Sequence, residues 1–346
     1  MNSTENQNAA STGGDKRIKF RLIIHSFYLL ISFTYCFLYY WKVVKRANFA
    51  ATSGMDAVLS FTAQKPFQFR VLVPFIYKAM SIAGLGLLPP KAIFLGMSIL
   101  IVYMIIFMYK LVLDEYFQNK NLNIILAITI LYPMTWNYVL LNQAYLFYDY
   151  MSILVYITGM YFILRNKFLP FVLVFAIGLL NKETTAYLIF AYLFYNYKII
   201  FTKKIILNTV LLTVIFLIVK MVLLLIFYNS PGSSVEICVY ENQKILANLF
   251  KDRVLLKNSV LCFGGLYVFT FYLFISGRWK RYAAIGGKGK LFINLVFIPY
   301  MIMGIFIVYF TEVRVYTEII PMLTTLFLIL LSTVGNIGIN PKEQIS

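Results

Sequence analysis

Charged residues are scarce in this chain. Asp, Glu, Lys and Arg together make up 13% of its 346 residues, about half the share found in an ordinary soluble domain. Hydrophobic residues reach 61%, which is more apolar surface than one soluble core can cover. This composition excludes a single soluble globular domain.

Histidine and cysteine are rarer still, with one His and three Cys in the whole chain. Cys36 and Cys262 fall inside apolar runs and Cys238 in a more polar stretch, so no disulfide framework is expected. His25 stands near the start of the first apolar run. These counts exclude a metal site built from His and Cys ligands.

Acidic residues number 13 against 31 basic ones, which gives a net charge of +18. Such an excess could suit a nucleic acid. The basic residues, however, stand in short clusters between apolar runs, where membrane topology and anionic lipid headgroups account for them. We therefore expect membrane lipids as partners and no nucleic acid.

Apolar runs are what the sequence has in abundance. Runs of about 20 residues, the length that crosses a bilayer as a helix, recur from Phe20 to Gly335. They predict an all-α fold, a polytopic membrane helical bundle of about ten spans. We place these spans at 20–41, 92–113, 123–141, 148–164, 168–181, 184–201, 205–228, 259–277, 291–310 and 317–335.

The polar stretches define the expected organisation. Residues 20–335 are predicted to form a single transmembrane domain, with outer loops at 42–91 and 229–258. Residues 1–19 are predicted to be a disordered cytoplasmic N-terminus and 336–346 a cytoplasmic tail. Loops rich in Lys and Arg mark the cytoplasmic side, and both termini fall there, in a multi-pass protein of the cell inner (plasma) membrane. The marking residues are Arg165, Lys167, Lys198, Lys203, Lys204, Arg278, Lys280, Arg281, Lys288 and Lys290.

The segment before residue 92 admits two topologies. Residues 70–88 are long enough to form an eleventh span, which would place the N-terminus outside. Pro74 and Lys78 interrupt this stretch, and a charge inside a span is costly. We prefer ten spans, with short helices at 55–63 and 68–83 lying in the membrane interface.

Most acidic residues fall on the outer side of this topology, where acid–base chemistry could therefore take place. They are Asp56, Asp149, Glu183, Glu236, Glu241, Asp252, Glu312 and Glu318.

The sequence Asn181-Lys182-Glu183-Thr184 lies at the tip of a short predicted hairpin. Residues 168–201 give ~51 Å of helix, too little for two crossings of ~30 Å each. The tip is therefore expected to sink below the outer surface, and ionisable groups at that depth are usually functional. The alternative is a Lys182–Glu183 ion pair that caps the hairpin and reaches towards the headgroups.

Other polar residues each admit a functional and a structural interpretation. Arg70, beside Phe67 and Phe69, could bind a phosphate with its two-pronged guanidinium or simply anchor the chain at the interface. Asp149 could be a helix N-cap. Lys220, inside the seventh span, must find a carboxylate, a carbonyl or a lipid phosphate.

Two further acids are ambiguous in the same way. Glu318 lies four residues after Arg314, so the two could form a structural ion pair on one helix face. Asp56, following Ser53-Gly54, taken by itself is most simply a helix cap in the outer loop.

Three short motifs resemble bacterial GT-C-type polytopic glycosyltransferases, and more closely uncharacterised membrane proteins of that kind. They are an aromatic-Arg-x-Leu-x-Pro block, an Asn-(Arg/Lys)-Glu-Thr hairpin and a late Glu-x-Arg. In this chain they are Phe69-Arg70-Val71-Leu72-Val73-Pro74, Asn181-Lys182-Glu183-Thr184 and Glu312-Val313-Arg314. The likeness in layout covers most of residues 20–330, including the two outer loops.

The resemblance implies transfer of a sugar, with inversion, from a polyprenyl-phosphate donor to an acceptor on the outer face. It implies Asp56 as catalytic base, although this loop holds one acid where many members have a pair. Donor phosphate binding would fall to Arg70, Lys182 and Arg314. The supporting acids would be Asp149, Glu183, Glu312 and Glu318. No cofactor is expected, and dependence on a divalent metal stays open.

Two other functions compete with this one. A transporter or flippase for a lipid-linked or anionic solute would use Lys220, the Lys182–Glu183 pair and the Arg314–Glu318 pair along its path, yet no internal repeat is visible. A polysaccharide polymerase or acyl transferase is the second rival. An acyl transferase would be expected to use a histidine, and His25 lies near the cytoplasmic end of the first span.

Overall fold

The fold is known from a computed structural model, which describes residues 4–44, 55–141, 148–233, 238–248, 250–307, 316–334 and 341–342. These residues form helices and turns, with no strand among them beyond an isolated bridge between Phe117 and Pro341. The predicted all-α class is therefore confirmed for the described part of the chain.

Seventeen α-helices are present in the described ranges. They are α1 (Thr4–Tyr39), α2 (Met55–Leu59), α3 (Leu72–Ile82), α4 (Pro90–Tyr116), α5 (Lys120–Leu126), α6 (Leu131–Met134), α7 (Tyr148–Leu164), α8 (Phe168–Leu179), α9 (Leu188–Tyr195), α10 (Lys203–Ile226), α11 (Val239–Asn248), α12 (Arg253–Leu261), α13 (Leu266–Ile275), α14 (Arg278–Ile285), α15 (Lys288–Phe292), α16 (Phe297–Ile307) and α17 (Ile319–Leu331). Several continue as 3-10 or π turns, so that α5 and α6 belong to one helical stretch that ends at Leu140.

Five helical stretches of the described chain are long and apolar enough to cross a membrane: Ile18–Val44, Lys91–Tyr116, Lys120–Leu140, Lys203–Ile226 and Leu256–Ile275. Each coincides with a predicted span. The other predicted spans coincide with helices that are shorter or are interrupted by 3-10 turns. These long apolar helices indicate a helical membrane protein. In lipid, a helix satisfies its backbone polar groups within its own segment.

The centre and the edge of the bundle differ in how they treat apolar side chains. Most of α7 is buried, including the large side chains of Tyr150, Tyr156 and Met160. In contrast, α10 leaves apolar side chains such as Leu217 and Leu225 exposed. A helix that is apolar all round and poorly covered by protein is suited to a lipid environment.

The basic loops gather at one end of the bundle, as the assignment of alternate loops requires. Arg165, between α7 and α8, lies 3.2 Å from Glu115 at the end of α4. Lys290 of α15 donates to the carbonyl of Glu115 over 2.8 Å. Arg278 and Arg281 both donate to the carbonyl of Thr333, after α17. We call this the basic end: residues 114–117, 165–167, 196–203, 277–290 and 333.

The residues on either side of the segment 42–91, the end of α1 and the start of α4, both lie at the opposite end of the bundle. Tyr28 of α1 donates to the carbonyl of Ile124, close to the basic end, whereas Tyr39 packs edge-on against Tyr150 at the start of α7. The next long helix, α4, finishes at the basic end and so begins about 40 Å away from it.

This segment carries α2, a 3-10 turn at Phe67–Phe69 and α3. The short helices predicted at 55–63 and 68–83 are thus present, each shorter than predicted. At ~16 Å, α3 is too short to cross a bilayer alone.

Candidate functional site

A small cleft of about 10 Å³ opens at the end of the bundle opposite the basic end. Its polar lining consists of Arg70, Lys182, Glu183 and Lys220. Its apolar lining consists of Phe69, Leu179, Phe216, Val219 and Leu223. We call this part of the molecule the cleft end.

The hairpin tip between α8 and α9 is held inside the bundle by its backbone and by Asn181. The Asn181 amide donates to the carbonyl of Tyr148 and to Ser152, each over 2.9 Å. Gly178 permits this approach, because a Cβ there would lie 2.5 Å from Val155. The tip is therefore buried in the protein, and its depth below the outer membrane surface stays a prediction.

The aromatic-Arg block and the hairpin are in direct contact. The backbone N–H of Leu72 donates to the carbonyl of Leu180 over 3.1 Å, and Arg70 and Lys182 line the same cleft. Two of the three motifs singled out in the sequence therefore form one site. The third, with Glu312 and Arg314, lies outside the described residues. Of the predicted Arg314–Glu318 pair the structure therefore describes Glu318 alone.

Lys182 belongs to a buried ion cluster. Its Nζ lies 2.9 Å from Glu318 Oε1 and 3.7 Å from Asp149 Oδ1, and none of the three side chains is more than 3% exposed. Glu318 also accepts hydrogen bonds from Thr184 at 2.6 Å and Tyr300 at 2.8 Å. Buried charges are tolerated when partners of this kind compensate the loss of water.

This cluster corrects two local interpretations. Lys182 is paired with Glu318 and Asp149 rather than with its neighbour Glu183, because its buried side chain points into the bundle. Asp149, in the first turn of α7, is likewise buried and lies against Lys182. It therefore belongs to the ion cluster and is more than a helix N-cap.

Glu183 takes part in a second, more open ion pair. Its carboxylate lies 2.6 Å from Lys220 Nζ, and the two side chains are 38% and 20% exposed. The Lys220 ammonium also lies 4.5 Å from the centre of the Phe69 ring. Of the three partners expected for Lys220, a carboxylate, a carbonyl or a lipid phosphate, the structure thus shows a carboxylate.

Arg70 is held by aromatic rings. Its guanidinium carbon lies 4.4 Å from the centre of the Tyr148 ring and 4.9 Å from that of Phe67. Burial lowers the pKa of Arg70, but Tyr148, Asp149 and Glu183 outweigh this effect and raise the pKa above its usual value. The Arg70 guanidinium also hydrogen-bonds to Tyr148. In the described part of the chain no ion pair involves Arg70, so its positive charge is suited to an incoming anion.

Among the described residues of the cleft end, positive and negative charges balance. The three cations are Arg70, Lys182 and Lys220, and the three carboxylates are those of Asp149, Glu183 and Glu318. The most exposed of the three carboxylates belongs to Glu183. An anionic ligand must therefore compete with the internal carboxylates for these cations. Glu183 is the carboxylate that such a ligand should displace most easily.

Asp56 lies beside this cleft without lining it. Its side chain is exposed in the first turn of α2, and no ion pair holds it among the described residues. The neighbouring residues Ala57 and Val58 pack in one cluster with Phe69 and Leu223, both of which line the cleft.

Sequence reasoning singled out Lys220 without assigning it to the donor site, and it did not anticipate the hydrogen bond from Tyr300 to Glu318. A lysine inside an apolar run was a signal for Lys220, because such a charge must be compensated. For Tyr300 there was no signal, since its hydroxyl is one of many in a chain with 27 tyrosines.

In the ranges that the structure describes, no group of three or more His, Cys, Asp or Glu side chains is placed to hold a metal ion. No family model matches the chain, and no curated protein or solved structure matches it significantly. The function must therefore be argued from the cleft itself.

Proposed function

We propose that this protein is a multi-pass membrane glycosyltransferase of the GT-C kind, which moves a sugar from a polyprenyl-phosphate donor to an acceptor on the outer face. The observation that carries the proposal is the cleft where Arg70, Lys182 and Lys220 converge. Cations grouped at the end of apolar helices are suited to a phosphate that is tethered to a lipid tail.

The proposal includes a topology of ten spans in the inner (plasma) membrane, with both termini and the basic end in the cytoplasm. Two features support it. The basic loops and the cleft lie at opposite ends of the bundle, and the end of α1 and the start of α4 both lie at the cleft end. The cleft end then faces outward, where a lipid-linked sugar would be presented.

In the proposed reaction the hydroxyl oxygen of the acceptor attacks the anomeric carbon of the sugar from the face opposite the phosphate. The bond between that carbon and the phosphate oxygen breaks, and the polyprenyl phosphate leaves with the electron pair. The hydroxyl proton passes to a carboxylate base, for which Asp56 is the candidate by resemblance and Glu183 by its place in the cleft.

Arg70, Lys182 and, by resemblance, Arg314 would stabilise the charge that develops on the leaving phosphate. Asp149 and Glu318 would support this site by holding Lys182 in place, as their buried ion pairs indicate.

The decisive experiment compares Asp56→Asn with Glu183→Gln in vesicles that contain a lipid-linked sugar donor and an acceptor. If Asp56 is the base, Asp56→Asn should lower turnover by roughly 10²–10⁴-fold, because an amide cannot accept the proton. Donor binding should survive that substitution. Glu241→Gln, on the exposed face of α11, is the matched control and should keep full activity.

The contrast between the variants locates the base. Full activity of Asp56→Asn together with loss of activity in Glu183→Gln would move the base to the hairpin. Absence of sugar transfer by the unaltered protein with every donor tried would count against the enzyme.

A transporter or flippase is the second candidate, favoured by the buried ion cluster of Lys182, Asp149 and Glu318. Such charges inside a helical bundle are typical of transport pathways. Movement of an anionic solute across vesicles without sugar transfer would support this function instead.

A further inference from the structure

Lys220 occupies an unusual position for a charged residue. It lies near the end of α10, a helix of 24 residues whose other side chains are almost all apolar. The neighbouring residues Met221 and Leu225 are exposed on the outside of the bundle, whereas Val219 and Leu223 line the cleft. Lys220 therefore stands on the wall that separates the cleft from the lipid.

The cations of Lys220 and Arg70 both lie over aromatic rings of one short segment. Lys220 lies over the ring of Phe69, and Arg70 lies over the ring of Phe67, two residues earlier in the chain. Such a contact fixes a cation without neutralising its charge. Lys220 differs from Arg70 in that it is also paired with Glu183, and the rings of Phe67 and Phe69 thus help to hold two cations at one cleft.

The two carboxylate-bound lysines of the cleft differ in how firmly they are held. Lys182 is locked by two carboxylates in a buried cluster. Lys220 has one carboxylate partner among the described residues, Glu183, and both side chains of that pair reach solvent. Separating Glu183 from Lys220 leaves no fully buried charge without a partner. Breaking this pair therefore costs less free energy than breaking the buried cluster.

We infer that Lys220 is a further ligand of the lipid phosphate, and that Glu183 is an internal counter-ion which this phosphate displaces. The inference rests on the proposed function, since it places the donor phosphate between Arg70 and Lys220. It assigns Lys220 to donor binding and gives Glu183 a role opposite to that of a supporting acid, because Glu183 competes with the donor.

The test measures binding of farnesyl phosphate to the full chain in lipid nanodiscs. Lys220→Gln should weaken binding roughly tenfold or more, because a charge-assisted contact is lost. Glu183→Gln should tighten binding several-fold, because the competing carboxylate is gone. Lys244→Gln is the matched control, since Lys244 also lies over an aromatic ring, 4.1 Å from the centre of Tyr240, but on the exposed helix α11.

Two further probes identify the group that is bound. Farnesol lacks the phosphate, and its binding should be the same in all variants. Inorganic phosphate lacks the lipid tail and should bind far more weakly than farnesyl phosphate. Equal affinity for inorganic and farnesyl phosphate would overturn the assignment to a lipid phosphate.

Lys220→Arg separates folding from binding, because it keeps the positive charge and should retain most of the affinity even if Lys220→Gln fails to fold. Unchanged binding in a folded Lys220→Gln protein, or weaker binding in Glu183→Gln, would overturn the inference and leave donor binding by Arg70 intact. The expected binding pattern without any sugar transfer would instead overturn the proposed enzyme alone.

Discussion

The two ends of the bundle use the same kinds of ion pair in different surroundings. At the basic end, Arg165 is 45% exposed where it meets Glu115, and several other cations bind backbone carbonyls. At the cleft end, Lys182 and Glu318 are 3% and 1% exposed. An exposed pair contributes at most about 1 kcal/mol, whereas breaking a buried one costs about 3–5 kcal/mol.

The charges of the two ends therefore require different explanations. Cations at the basic end are accounted for by membrane topology, because they remain near water and headgroups. Topology does not account for Lys182, which is buried with two carboxylates. The cleft end is therefore the end for which we propose a functional role.

The proposed difference between the two ends requires that they face opposite sides of the membrane. A cysteine introduced at exposed position 240 should react with an impermeant reagent from outside, and one at exposed position 284 should not. A cysteine at position 182 should resist the reagent from either side, because that position is buried. Labelling at 284 from outside would reverse the proposed orientation.

The next largest effect is expected on stability. Lys182→Met should destabilise the protein by about 3–5 kcal/mol, because it leaves Glu318 and Asp149 buried without their cation. Arg165→Met at the basic end is the control and should cost no more than about 1 kcal/mol. Denaturant unfolding in detergent, followed by tryptophan fluorescence, measures both. Equal losses would remove the distinction between the ends.

A smaller effect separates the two ends in ligand binding. Arg70→Ala should weaken binding of farnesyl phosphate by roughly tenfold or more, and Arg70→Lys should restore only part of it, because the two-pronged guanidinium is lost. Arg281→Ala, at the basic end, should leave binding unchanged. If Arg70→Ala binds normally while the protein stays folded, the phosphate site is misplaced.

A further comparison of the two ends concerns single hydroxyl groups. Tyr300→Phe removes a hydrogen bond to the buried Glu318 carboxylate and should cost about 1.5–3 kcal/mol. Tyr195→Phe removes one to the neutral carbonyl of Leu164 near the basic end and should cost about 0.5–1.5 kcal/mol. Thermal unfolding of the two variants in one detergent should rank them in this order.

The helices could be predicted because they follow from local properties. Apolar runs such as 203–226 must form helices in lipid, where each backbone group needs a partner inside its own segment. The shortness of residues 168–201 likewise predicts that the hairpin tip sinks. Membership of Arg70 and Lys182 in one cleft was expected only through a resemblance of short motifs.

Composition and the length of the apolar runs were sufficient to predict an all-helical, membrane-spanning chain and the five long apolar helices. Which charges meet depends instead on the tertiary structure. Glu318 accepts a hydrogen bond from Thr184, which lies 134 residues away in the chain. Lys182 pairs with Glu318 although Glu183 is its neighbour in the sequence. No local rule predicts this choice, because the partner of a buried charge is set by the helices that pack beside it.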